Sequence, residues 1–284
     1  MKFGNLSKLV TLLSVAASFQ LFNIAKATAN EVFIGLSANN TLVRFNSDFR
    51  RFERPVQVTG IDGNLEGIDF RPADGKLYGV TDTNNIYTID PNTGAATAVS
   101  TLAVDFLGGF QSGVDFNPVA DRLRIVGSND QNLRINVETG VVNIDGTLAY
   151  AAGDPNAGVD PNLTGAAYIN SVAGATSTQL YDIDYALDVL VLQNPPNEGT
   201  LRTVGPLGVN FSPVGGFDIF TDKEGVNRAF AVSGSSIYSI DLSTGAATQL
   251  ATLPDSSGFI GLAVYREAGR QEYERQRPGQ KYRY

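Results

Sequence analysis

Residues Ile86–Thr97 read IYTIDPNTGAAT, and residues Ile237–Thr248, 151 positions later, read IYSIDLSTGAAT. Each stretch passes from a β-branched and aromatic run through an Asp- and Gly-bearing turn into a small Ala/Thr segment. That is the pattern of two strands joined by a hairpin. Gly94 and Gly245 fall where such a turn needs positive φ. Asp90 and Asp241 stand where a side chain caps the turn by bonding nearby backbone N–H groups.

The duplicated hairpin belongs to a longer unit. A short motif, Gly–apolar–Asp–Phe or a variant of it, begins at Gly67 (GIDF), Gly113 (GVDF), Gly165 (GAAY), Gly216 (GFDI) and Gly261 (GLAV). The intervals are 46, 52, 51 and 45 residues. Periods of this size mark solenoids or propellers. Within each unit, four short runs of Val, Ile, Leu, Tyr and Phe are separated by Gly, Pro, Asn and Asp. Four strands in about 45 residues is the grammar of a propeller blade.

The blade count follows from the ends. Residues 259–265, FIGLAVY, form an inner strand with no blade after it. Residues 31–60, EVFIGLSANNTLVRFNSDFRRFERPVQVTG, supply outer strands with no inner strand before them. Joining the two makes a composite blade, seals the ring and removes two exposed sheet edges. The expected fold is an all-β, five-bladed β-propeller of four-stranded blades, closed by strand 259–265.

The flanks read differently. Lys2 and Lys8 precede an apolar run, Leu9–Phe22, which is followed by Ala27-Thr28-Ala29. Charge, apolar stretch and small-x-small site in this order predict a signal peptide over 1–29, removed on export. Nothing later is apolar enough to span a bilayer, so no membrane span is expected after cleavage. Residues 266–284 carry six basic and three acidic side chains and no aliphatic residue larger than Ala. Such a segment reads as a disordered, solvated tail. These features place the domain, 30–265, in a secreted, periplasmic or cell-surface setting, as a monomer.

Residues 30–265 hold 12 basic and 26 acidic side chains, a net charge of −14. A strongly acidic surface repels phosphate backbones, which argues against nucleic acid as a partner. The chain has no Cys and no His. Disulfides, ordinary zinc or copper sites and Ser-His-Asp or Cys-His catalysis are therefore excluded. No nucleotide-binding glycine motif occurs. Acid–base chemistry would fall to carboxylates, Tyr, Lys or water.

These motifs, with GVDFNPVADRLRIVGSNDQNLRINVETG and LQNPPNEGTL, resemble the bacterial domain-of-unknown-function 4394 family over about Glu31–Val264. The resemblance implies a secreted or surface domain of propeller type, with no established activity.

Three candidate sites emerge. Asp69, Asp115 and Asp218 occupy one position of the inner strand, where the other units have Ala167 and Ala263. Repetition favours a structural role, bonding a neighbouring N–H or an Arg. Convergence near the axis leaves two others open: a Ca²⁺ site built from oxygen ligands, or a carboxylate pair for hydrolysis of glycosidase or lactonase type. The third unit breaks the repeat with Arg122, Arg124 and Arg134. Arginines among apolar strand residues need partners, either the inner Asp set or an anionic ligand. The fourth unit breaks it with Val191–Leu201, VLQNPPNEGTL, expected to be a rigid loop presenting Gln193, Asn194 and Asn197. The resulting expectation is a non-enzymatic binding or scaffold module of unknown extracellular ligand, needing no cofactor unless calcium. The alternative is a carboxylate-based or calcium-assisted hydrolase working at the channel.

Overall fold

A computed structural model of the chain describes residues 31–49, 52–108, 111–253 and 258–266. The expected signal peptide and residues 267–284 of the expected tail lie outside the described residues, while Arg266, expected to begin the tail, ends the last strand opposite Glu31. Strands β1 (Glu31–Ser37), β2 (Thr41–Asn46) and β3 (Val56–Gln57) open the chain. Blade 2 is β4 (Leu65–Phe70), β5 (Leu77–Thr81), β6 (Asn85–Ile89) and β7 (Ala96–Thr101). Blade 3 is β8 (Ser112–Asn117), β9 (Arg122–Gly127), β10 (Asn132–Ile135) and β11 (Val142–Ile144). In blade 4, β12 (Ala149–Tyr150) precedes β13 (Leu163–Tyr168), β14 (Leu180–Asp184), β15 (Val189–Gln193) and β16 (Thr200–Pro206). Blade 5 is β17 (Gly215–Thr221), β18 (Asn227–Ser233), β19 (Ser236–Ile240) and β20 (Ala247–Thr252), and the last strand is β21 (Phe259–Arg266).

The sheets run β21-β1-β2-β3, β4-β5-β6-β7, β8-β9-β10-β11, β13-β14-β15-β16 and β17-β18-β19-β20. This is a five-bladed propeller with four-stranded blades. Blade 4 carries β12 as an additional strand, parallel to β16 on its outer edge. The ring closes as the sequence predicts: β21 pairs with β1 in antiparallel register, Phe33 opposite Val264 and Ile34 opposite Ala263. Phenylalanines reinforce that seam. Phe33 stacks on Phe45 at 5.3 Å and meets Phe230 of blade 5 edge-on at 4.9 Å. Such pairs add about 0.5–1.5 kcal/mol each beyond their burial.

Among the described residues the hydrophobic core is divided into five clusters, found mainly where blades meet. The repeated hairpin explains part of this interlocking. Asp90 Oδ1 accepts the N–H groups of Asn92 and Thr93, and Asp241 Oδ1 accepts those of Ser243 and Thr244. Gly94 has φ 73° and Gly245 φ 82°. A Cβ on either would press into a backbone carbonyl of the preceding blade, that of Gln57 or Gly205. The twelve residues recur because the same turn locks blade 2 to blade 1 and blade 5 to blade 4.

The glycine of the inner motif acts at the axis. A Cβ on Gly113 would lie 2.5 Å from the Ala166 nitrogen and 2.7 Å from the Gly165 carbonyl carbon. Those are backbone atoms of the neighbouring inner strand and cannot swing aside. Gly113→Ala is expected to cost about 1–3 kcal/mol, as overpacking does. A denaturant melt checks this. A loss below about 0.5 kcal/mol, within the range of an ordinary surface change, would show that the inner strands can spread.

Candidate functional site

An inner strand is the edge of its sheet, so half of its N–H groups have no partner within the blade. The Asp of the Gly–apolar–Asp–Phe motif solves this. Asp69 Oδ2 accepts Phe116 N–H of the next blade at 2.8 Å. Asp115 Oδ1 accepts Tyr168 N–H at 3.2 Å, and Asp218 Oδ2 accepts Val264 N–H at 2.6 Å. Two inner strands follow a blade that has Ala instead, and these use their own carboxylate. Asp69 Oδ1 accepts Phe70 N–H at 2.6 Å, and Asp218 accepts Ile219 N–H. Three carboxylates thereby serve five equivalent N–H groups, one per blade, and Asp115 is the member that takes only one.

The same three carboxylates converge. Each offers an oxygen, and these oxygens lie within 4.8 Å of one another. All three side chains are buried. Burial, followed by the charge of Asp218, holds the Asp69 carboxyl far above its ordinary range. Burial and the charges of Asp69 and Asp218 do the same to Asp115. Burial raises Asp218 to about 7, against the pull of the Val264 and Ile219 N–H groups. The set can share protons or hold a hard, oxygen-liking cation. Between the inner strands, where Gly67, Ser112, Thr164 and Gly216 line the channel, the free space is about 10 Å³. That is close to the room one water needs.

The two breaks in the repeat meet each other. Asp115, Arg124 and Arg134 form one cross-strand row from the axis toward the rim of blade 3. Arg124 is 0% exposed. Its Nε donates to Tyr168 Oη at 3.2 Å, and its Nη1 to Asp145 Oδ2 and Asn132 Oδ1, both at 2.5 Å. Its Nη2 donates to Asn197 Oδ1 at 2.8 Å. Arg134 clasps Asp145 with two further bonds, at 2.6 and 2.9 Å. The structure therefore corrects one expectation: the bonded carboxylate of these arginines is Asp145, from the segment after β11, and not the inner Asp set. The inner carboxylates are taken up with backbone donors instead.

Arg122 does not join this group. It sits at the start of β9 and its guanidinium donates to the Ala120 and Asp121 carbonyls. The Val191–Leu201 segment also differs from a presenting loop in one respect. Gln193 ends β15, is 1% exposed, and turns its Nε2 to the Pro196 carbonyl at 2.6 Å. Asn194 and Asn197 are exposed. A 3-10 turn, Pro196–Glu198, follows the prolines, and Asn132 donates to the Pro196 carbonyl. Arg124 and Asn132 thus pin this segment of blade 4 onto blade 3.

One residue of this seam escaped the sequence reading. Asp182, on β14, is 0% exposed, and neither of its oxygens has a hydrogen-bond partner. Its register opposite Ala166 puts it on the blade 4 face turned toward blade 3. Burial holds its carboxyl far above the ordinary range, opposed by the charge of Arg124. The signal was present: at this position the other inner hairpins carry Gly79, Ile125 and Ala231.

A second opening lies between blades 4 and 5, where the loop leading into β17 meets the β14–β15 and β18–β19 hairpins. Tyr185, Asn210, Phe211, Ser212, Ser233 and Tyr238 are among its walls, and the volume is about 470 Å³. It opens on the face where the inner strands begin, beside the channel mouth.

Five four-stranded blades around an axis of buried carboxylates define a β-propeller whose repeat is interrupted by a polar seam between blades 3 and 4. Residues 41–263 match the family described as Domain of unknown function (DUF4394), and the chain belongs to that family. No curated protein matches its sequence. Among solved structures, a structural genomics protein of unknown function from Bacteroides thetaiotaomicron VPI-5482 is 20% identical, with a TM-score of 0.47 over 78% of this chain and 58% of that one. A chain of a nidogen/laminin complex is 12% identical, with a TM-score of 0.47 over 83% and 85%. An auxiliary nutrient binding protein from Bacteroides thetaiotaomicron VPI-5482 is 16% identical, with a TM-score of 0.40 over 70% and 55%. The chain spans 58% of the length of the first of these proteins. Among the described residues no helix is long and apolar enough to cross a membrane.

Proposed function

We propose that this chain is an exported, non-enzymatic binding module that engages its ligand outside the cytoplasm. Export rests on the signal-like N-terminus. The observation that carries the rest is the state of the inner carboxylates. Hydrolysis by paired carboxylates needs two groups with a substrate between them. Asp69, Asp115 and Asp218 are instead committed to the backbone of the inner strands, beside free space of about 10 Å³.

The cleft between blades 4 and 5 is the better seat for a ligand. Its volume falls in the range of small-molecule sites. Among the described residues no charged side chain lines it, and its walls offer the Tyr185 and Tyr238 rings, the Asn210 amide and hydroxyl groups. Those groups suit a neutral ligand with an apolar face and a hydroxylated edge, as in a neutral oligosaccharide. Arg124 supports this module as part of the clamp between blades 3 and 4, and Gln193 braces the clamped segment from within blade 4. Arg122, Arg134 and Asn194 do not line this cleft: Arg122 bonds the Ala120 and Asp121 carbonyls and Arg134 bonds Asp145.

The test is a titration of the purified chain with a panel of neutral oligosaccharides. Saturable binding is expected, without turnover. Tyr185→Ala and Asn210→Ala together should weaken it roughly tenfold or more, a loss of about 1.4 kcal/mol, with the melting temperature little changed. Cleavage of any panel member, binding indifferent to both substitutions, or no binding at all would overturn the reading.

A further inference from the structure

The axial carboxylates leave a count unbalanced. Three carboxylates bring six oxygens to five N–H donors. Each oxygen has a second lone pair, so a group that accepts an N–H can still coordinate an ion. Between described residues, no ion pair reaches Asp69, Asp115 or Asp218, although Arg124 stands opposite Asp115 in the strand register. Asp182 adds a fourth carboxylate one strand further out. It is fully buried, both oxygens lack partners, and its charge acts on Asp115. The charge of Arg124 acts on Asp182 without bonding either oxygen, so a buried carboxylate is left with acceptor capacity that is costly to leave unused.

We propose that Asp69, Asp115 and Asp218 form a calcium-class cation site on the propeller axis, with Asp182 as a fourth carboxylate contributing charge behind Asp115. Three oxygens within 4.8 Å of one another place a common centre no more than about 2.8 Å from each, a spacing compatible with Ca–O bonds of about 2.3–2.6 Å. Magnesium suits the place less well. It demands near-ideal octahedral geometry and keeps several waters, whereas these three carboxylates are buried. Calcium accepts irregular coordination and sheds its water more readily. The role is structural: one ion ties β4, β8 and β17, inner strands of three blades, at the point where ring closure brings like charges together. It neutralises charge that protons otherwise have to neutralise, so calcium and protons compete for the same oxygens. The groups facing the site are the four aspartates and, one strand out from Asp115, Arg124.

The test uses calcium chloride alone on the purified chain, read by elemental analysis after desalting and by melting temperature against a chelated sample. At pH 7.5, about one calcium per chain is expected. At a hundredfold excess over the dissociation constant, the melting temperature should rise by roughly 5–10 °C. Both effects should shrink at pH 5. Asp115→Asn should lower the calcium content at least tenfold. The wild-type measurements stand even if that variant fails to fold. No retained calcium and no shift at pH 7.5 in the wild type would overturn the proposal, as would a shift that persists in a folded Asp115→Asn. Neither outcome bears on ligand binding at the cleft between blades 4 and 5, which is read by a separate titration.

Discussion

Asp145→Ala is expected to destabilise the propeller by about 3–5 kcal/mol, the cost of stranding a buried charge. Asp145 is 5% exposed and is the carboxylate bonded to both Arg124 and Arg134. Without it, Arg124 stays in a fully buried place and the hydrogen-bond partners left to it are neutral: Tyr168, Asn132 and Asn197. Arg134 is 27% exposed and can turn to water. Arg134→Met should therefore cost no more than about 1 kcal/mol, in the range of a surface pair. The double variant Arg124→Met/Asp145→Leu removes both the charge and its partner. Replacing a buried pair by apolar residues of similar volume is often neutral or better, so much of the single-variant loss should return. Urea melts of the three variants measure this. Equal losses for Asp145→Ala and Arg134→Met would mean that the pair is solvated and that the seam is not what joins blades 3 and 4.

The architecture was legible because it is written five times. The Gly–apolar–Asp–Phe intervals gave the blades, and the unmatched runs at the two ends gave the closure, down to strand 259–265 against the N-terminal strands. Gly113 and Gly94 were visible as repeating glycines. Their reasons, the approach of Ala166 and of the Gln57 carbonyl, were not, because they lie in neighbouring blades. The partners of the arginines were missed for a related cause. Arg124 and Asn197 are 73 residues apart, and both depart from the repeat, so no periodic argument could join them. Asp145 sits in the connection after β11, where the units differ in length and alignment carries least. Asp182 could have been found by asking which blade places a carboxylate where the others place Gly, Ile or Ala. The cleft between blades 4 and 5 is assembled from three separate hairpins and loops with no shared motif, and only the fold brings them together.

In the presence of a chelator, stability should fall as pH rises from about 4 to 8. The direction follows from the axial carboxyls. A group whose folded pKa lies above its unfolded value contributes stability that is complete below the unfolded pKa and is lost on rising through the folded one. Asp218 moves from 3.8 to about 7, because burial disfavours its charged form. Its share is thus intact below about pH 4 and gone above about pH 7, a difference on the order of 4 kcal/mol. Asp69 and Asp115 are held well above their ordinary range, by burial first and by neighbouring carboxylate charge second, and add to the decline in the same direction. Asp130, raised to about 6 by burial and by Asp160, adds to it in the same direction. The opposing groups do not interfere. Asp121 and Asp241 are held below their ordinary range, by Arg71 and by the Ser243 hydroxyl respectively. Their stabilisation is present above about pH 4 and is lost only on further acidification. The chain contains no histidine, so no ordinary side chain titrates between pH 5 and 8, and the slope there belongs to the shifted carboxyls. Asp218→Asn keeps an oxygen for the Val264 N–H but cannot ionise, and should flatten the profile and surpass the wild type at pH 8. A wild-type stability that is level or rises across pH 5–8 would place these carboxyls in contact with water. In that case the belt around the axis would be looser than the closed ring of hydrogen bonds requires.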